Sequence, residues 1–186
     1  MNETYLRLTS DVLAVNYYGE VLTIELISDL LARSEYRRYR GILSRQLLDE
    51  TRHANITRAL LRERDRDPLV HDARSDFTYH ALFEEFARRG GDAVLAFLGE
   101  NETISSRNFS QLIRIADRHH DDELVALYSE ILNDEVTHAN TILGALPPHD
   151  PMVEAVRREA RQRMARTLNM RYLRLWNAEP KARRQA

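Results

Sequence analysis

The sequence predicts an all-α fold: a four-helix bundle with a long connection between its second and third helices and a fifth helix at the C-terminal end. Three observations predict it. Apolar residues recur at helical spacing along most of the chain. Six Gly and five Pro in 186 residues suit long helices and leave little for turns. One phrase also occurs twice: residues 49–55 read Asp-Glu-Thr-Arg-His-Ala-Asn and residues 134–140 read Asp-Glu-Val-Thr-His-Ala-Asn, both D-E-x-x-H-A-N.

The first helix is expected over 3–33, with Leu13, Tyr17, Ile24, Ile27 and Leu31 as its apolar stripe. Glu20 lies on that stripe, whereas Glu25 falls off it beside Leu22 and Asp29. Ser34 offers a cap for a second helix reaching about Arg64, with Leu43, Leu47, Glu50, His53, Thr57 and Leu61 in line. Charge crowding and Pro68 end it. A shorter helix at 72–89, closed by Gly90-Gly91, makes the connection too long for a tight hairpin, so helices two and three are expected to run parallel. Asp92 is placed to cap the third long helix, 93–118, with Leu98, Glu102, Phe109, Leu112 and Ala116 on one side. Glu100 falls instead on a mostly polar face with Arg107 and Gln111. Asp121-Asp122 cap a helix over 122–146 carrying Leu124, Tyr128, Ile131, Glu135, His138 and Ile142, stopped by Pro147-Pro148. Asp150-Pro151 starts the last helix, expected to about Trp176. Residues 1–177 read as one domain and 178–186 as a flexible tail.

Gly19 and Gly99 interrupt the helices that bear Glu20 and Glu102. A helix-interior glycine costs up to about 1 kcal/mol relative to alanine. Each is therefore expected to make room, for a neighbouring helix rather than for a substrate.

The repeat carries the chemistry. Residues three apart share a helix face, so Glu50 with His53, and Glu135 with His138, can each present an oxygen and a nitrogen to one ion. A lone glutamate precedes each pair at a similar distance, Glu20 by 30 residues and Glu102 by 33. At 1.5 Å rise, about 30 residues carry a chain along a helix, round a loop and back to the same height. The chain is thus two copies of one hairpin, bringing four carboxylates and two imidazoles together in a bundle core. Such groups cost several kcal/mol to bury unless paired or metal-bound. Four glutamates balance two divalent ions. A carboxylate-rich set favours iron, with manganese or a mixed manganese–iron pair as alternatives, over zinc, which prefers fewer, more N/S-rich ligands.

Composition bounds the rest. The 43% hydrophobic and 30% charged residues fit one domain with a sizeable core. Zero cysteines exclude disulfides, thiolate ligands and a nucleophilic thiol, and with them a rubredoxin-like electron-transfer module. No apolar run is long enough to span a membrane, and no signal peptide is read, so a cytoplasmic protein is expected. Net charge is −2 but uneven, since residues 149–186 hold ten Lys/Arg against four Asp/Glu. No Walker loop, G-x-G-x-x-G or G-x-S-x-G occurs. His71, His80, His119, His120 and His149 lack spaced partners that would make a second metal site. Tyr17 and Tyr128, within two turns of Glu20 and Glu135, could hydrogen-bond or carry a radical, although core packing alone accounts for them.

In the order Glu20, Glu50-x-x-His53, Glu102, Glu135-x-x-His138, residues 10–146 resemble the ferritin-like di-iron carboxylate superfamily. Among its short oxygenases, aldehyde-deformylating oxygenases are similar in spacing and in the segment Asn133-Asp134-Glu135-Val136-Thr137-His138. The resemblance implies a ferritin-like bundle and two iron ions, bridged by Glu50 and Glu135, with Glu20 and Glu102 terminal and one histidine on each ion. It also implies that Asp49 and Asp134 each bond the histidine of the facing helix. The implied activity is O₂-dependent oxidation of a small organic substrate in an apolar pocket, with electrons from an external reductase or ferredoxin. The apolar stripe residues Ile24, Ile27, Thr57, Leu61, Phe109, Ile113, Ile131 and Ile142 are expected to line that pocket. Alternatives are a ferritin- or rubrerythrin-like ferroxidase or peroxide scavenger, and a di-iron hydroxylase acting on tRNA. Nucleic acid is the less expected partner, and a homodimer is compatible with the sequence.

Overall fold

A computed structural model describes residues 2–68, 79–164 and 170–178. Over these residues the chain is helical, without strands: α1 (Glu3–Ala32), a 3₁₀ segment (Ser34–Tyr39), α2 (Arg40–Glu63), α3 (Ala81–Arg88), α4 (Gly91–Arg118), α5 (Asp122–Gly144), α6 (Pro151–Met164) and α7 (Met170–Ala178). The helices pack as a bundle. α1 lies along α2 and α4 along α5, giving two hairpins that meet where α2 touches α5. α3 and α6 cover α4, and α7 covers α1.

Caps explain several boundaries. The Asn2 side chain accepts from Thr4 N at 2.8 Å, and Asp121 accepts from Leu124 N at 3.2 Å. Asp150 Oδ1 accepts from Met152 N at 2.7 Å, as its place before Pro151 predicts. Two expected caps are corrected. Ser34 opens the 3₁₀ segment rather than capping α2, and neither that segment nor α2 has a side-chain cap. Asp92 sits inside the first turn of α4, where it bonds Arg38 and Tyr39. Gly90 is the N-cap of α4, at φ 115°, a left-handed conformation that favours glycine. Parts of the expected helices at 72–89 and 150–176, and the tail at 179–186, lie outside the described residues.

Two apolar clusters fill the bundle, one above and one below a polar layer. Along α1, Val15 belongs to the first cluster and Leu22 to the second; along α2, Leu61 belongs to the first and Leu43 to the second. On α4 the dividing pair is Leu98 and Phe109, and on α5 Ile131 and Ile142. Between those positions fall Glu20, Glu50, Glu102 and Glu135.

One correction concerns a charged residue. Glu100, expected on a polar face, is fully buried because α6 covers that face of α4. Its Oε1 accepts from Arg157 Nε at 2.7 Å and Arg161 Nη1 at 2.9 Å. Glu25 is exposed, as its place off the stripe predicts.

The two helix-interrupting glycines separate here. A Cβ on Gly99 would meet Leu143 Cγ and Cδ2 at 2.7 Å, so this glycine admits the neighbouring helix as expected. A Cβ on Gly19 would meet nothing within 4 Å, so the expectation of helix packing there is corrected. Gly19→Ala should therefore raise stability by about 0.5–1 kcal/mol through helix propensity. Gly99→Ala should lower it by about 1–3 kcal/mol through overpacking. Urea denaturation of both variants measures the difference, and equal shifts of the same sign would contradict it.

Candidate metal centre

The polar layer is built by i,i+3 geometry. Glu50 and His53 face inward from α2, Glu135 and His138 from α5, and single helix positions supply Glu20 from α1 and Glu102 from α4. All six side chains are buried, His53 completely. They form two overlapping groups, Glu20–Glu50–His53–Glu135 and Glu50–Glu102–Glu135–His138. Within each group one donor atom per residue lies within 4.8 Å of all the others. Glu50 and Glu135 belong to both. These buried Glu/His groups can hold a metal ion. Among the described residues no other group of this kind occurs.

The imidazoles are oriented from outside. His53 Nε2 lies 3.1 Å from Asp134 Oδ2, and His138 Nε2 lies 3.1 Å from Asp49 Oδ2. Each aspartate thus holds the histidine of the facing helix, and Arg52 bonds Asp134 in turn. An Nε2–H donated to aspartate turns Nδ1 toward the glutamates. His53 Nδ1 is 3.3 Å from Glu50 Oε2, and His138 Nδ1 is 3.4 Å from Glu50 Oε1. The latter contact is not aligned for hydrogen bonding, so His138 Nδ1 is a buried polar atom without a hydrogen-bond partner. An orphaned nitrogen facing a ring of carboxylate oxygens is the donor set a metal ion completes.

Without an ion the layer must hold protons instead. Burial, then the Glu50 charge, raises Glu20 well above the usual carboxylate range. Burial, then Glu102 and Glu50, does the same to Glu135. Glu102 is pushed up to about 7 by burial and by Glu50. Burial also opposes the charge on Glu50, but the adjoining His138 and His53 imidazoles outweigh it and hold that group below its ordinary value. For His138 burial favours the neutral ring, yet Glu50, Glu102 and Asp49 win and raise it to about 9.

Several polar neighbours of the layer are not evident from the repeat. Gln46, one turn before Glu50, donates through Nε2 to Glu102 Oε1 at 2.9 Å and to Glu50 Oε1 at 3.2 Å. Asn16, one turn before Glu20, donates to the Tyr128 hydroxyl at 2.9 Å and accepts from the Tyr172 hydroxyl. The available signal is a buried amide one turn from each α1 and α2 glutamate. Tyr128 is fully buried against Phe109, with ring centroids 5.4 Å apart. Tyr17 is only half-buried and packs on the apolar cluster that contains Val15.

A cavity of about 200 Å³ adjoins the cluster and is lined by Glu20, Glu50, Glu102 and Glu135. Its lining differs from the apolar one expected. Val15, Leu22 and Phe109 contribute apolar surface, but Asn16, Thr23, Asn101, Ser105 and Tyr79 add polar groups. Of the stripe residues expected to line it, only Phe109 does, because the others point into the apolar clusters or the helix seams. Gly19 stands at its exposed rim. A second cavity of about 330 Å³ lies on the α2–α5 seam beside Asp49, Asp134 and His138.

Of the remaining histidines, His119 stacks on Tyr5 at 4.0 Å and His80, His120 and His149 are exposed, while His71 lies outside the described residues. No helix among the described residues is long and apolar enough to cross a membrane. No known family matches the chain, and neither the curated proteins nor the solved structures yield a match.

The protonated layer has a measurable sign. Glu20, Glu102, Glu135 and His138 all have raised folded-state values, so their contribution to stability is full at low pH and is lost as pH rises through those values. Glu50 acts oppositely, but only below the ordinary carboxylate range. Metal-free protein should melt progressively lower from about pH 5 to pH 9, and bound metal, by displacing the protons, should flatten that slope. Melting curves of chelator-treated and metal-loaded samples test this; a metal-free melting temperature that rises over the window contradicts it.

Proposed function

We propose that this protein is a ferritin-like di-iron carboxylate enzyme that uses O₂ to oxidise a small organic substrate. The observation that carries the reading is the pair of overlapping donor groups with Glu50 and Glu135 in common. Two ions sharing those glutamates would each keep one further glutamate and one histidine, Glu20 with His53 and Glu102 with His138. Four carboxylates neutralise two divalent ions, which removes the repulsion that otherwise forces protons onto the layer. Oxygen-rich donors favour iron or manganese over zinc. When bound, the metal pair supplies O₂ activation, with electrons from an external reductase or ferredoxin-type partner, since the chain has no cysteine. Asp49 and Asp134 fix the imidazoles, and Gln46 restrains Glu50 and Glu102.

Iron storage is the second reading. It requires a polar path leading iron away from the site; Asn16, Thr23, Asn101 and Ser105 in the cavity lining favour this reading, and Val15, Leu22 and Phe109 favour an organic substrate. A tRNA substrate draws less support from the basic C-terminal region than its composition suggests. Arg157 and Arg161 hold Glu100, and Arg163 bonds Glu85 and Glu159 within the chain.

Metal analysis after anaerobic loading with Fe²⁺ should give two ions per chain, falling in Glu135→Ala and His138→Ala. Fe²⁺ should also raise the melting temperature by linkage. A single zinc per chain, indifferent to His138→Ala, would falsify the assignment. The reduced protein should consume O₂ once per reduction and build no mineral. Accumulation of hundreds of irons per assembly in air would establish storage instead.

A further inference from the structure

Tyr79 sits in the helical turn leading into α3, its ring against Phe97 with centroids 5.4 Å apart. Its hydroxyl is buried at the cavity wall, which Thr23 also lines, and has no hydrogen-bond partner among the described residues. Buried tyrosine hydroxyls ordinarily find one. Burial, then the Glu102 and Glu50 charges, pushes its ionisation far above the ordinary range, so the group remains a phenol able to donate. The same wall carries Asn101 and Ser105 from α4, while Val15, Leu22 and Phe109 supply an apolar side. Among the described residues lining the cavity there is no Lys, Arg or His to pair with an anionic ligand.

We propose that the cavity binds a small neutral molecule with an apolar body and a carbonyl or alcohol oxygen, and that the Tyr79 hydroxyl donates the hydrogen bond that orients it. This deepens the oxidase reading and rests on it for the meaning of the site, though not for the binding. At about 200 Å³ the cavity is smaller than the roughly 300 Å³ or more of drug-sized sites, and it suits a small molecule. Gly19 leaves the rim open, since a Cβ there would touch nothing within 4 Å. Tyr79 is a positioning and specificity residue outside the metal-holding groups.

The test uses cyclohexanone and methylcyclohexane, equal in non-hydrogen atom count and differing in the acceptor, titrated into Mn²⁺-loaded and metal-free protein with affinity read by ligand-observed NMR. Cyclohexanone should bind the wild type better than methylcyclohexane. Tyr79→Phe, which keeps the ring on Phe97, should weaken cyclohexanone about tenfold and leave methylcyclohexane and the metal count unchanged. Gly19→Leu, which fills the rim, should weaken both probes. Equal cyclohexanone affinity in wild type and Tyr79→Phe would mean that the hydroxyl serves only a solvent water, and would overturn the proposal, as would a wild type preferring methylcyclohexane. Wild-type protein that fails to take Mn²⁺ defeats the metal reading alone, because the titrations on metal-free protein still decide the cavity.

Discussion

Four glutamate side chains in a dry layer between two apolar clusters set the terms for everything else in this molecule. Each is taken out of water at a cost of several kcal/mol, and each repels the others across a few ångströms. Only protons or cations relieve both penalties. The apolar clusters above and below hold the helices close enough that the carboxylates stay together. The bundle therefore stores a demand for positive charge at its midpoint, and the histidines, their aspartates and Gln46 fix where that charge must sit.

Glu100 shows the alternative way to bury a carboxylate. It lies on α4 only two residues before Glu102 and is equally buried, but two guanidinium groups from α6 reach it. Arginine balances its charge within the protein through Oε1. Among the described residues no arginine bonds the four glutamates of the layer in the same way. Neighbouring residues on one helix thus perform different tasks, one fastening a covering helix and the other keeping a donor available.

The parts of this architecture that repeat are legible in the chain. Helical periodicity, the two D-E-x-x-H-A-N phrases and the upstream Glu20 and Glu102 identify the four inward faces, because period and spacing are local properties. What stayed hidden depends on partners distant in sequence. Glu100 looked solvated because nothing local announces that α6 will cover it. Asp92 looked like a cap because its competing partners, Arg38 and Tyr39, come from the other hairpin. The cavity looked apolar because the stripe residues are, whereas its wall is drawn from positions beside the stripe, such as Asn16, Thr23 and Ser105. Gly19 and Gly99 carry the same sequence signal, and only the distance to Leu143 separates them.

The aspartate–histidine bonds cross between the two hairpins in both directions, Asp49 to His138 and Asp134 to His53. Neither half of the chain owns a finished site. A hairpin standing alone would keep its Glu and its Glu-x-x-His, yet its imidazole would swing without the brace that only the other half provides. The interface between halves and the affinity for metal are consequently one quantity seen from two sides. Any event that parts α2 from α5, thermal or mutational, undoes both donor groups together rather than one at a time.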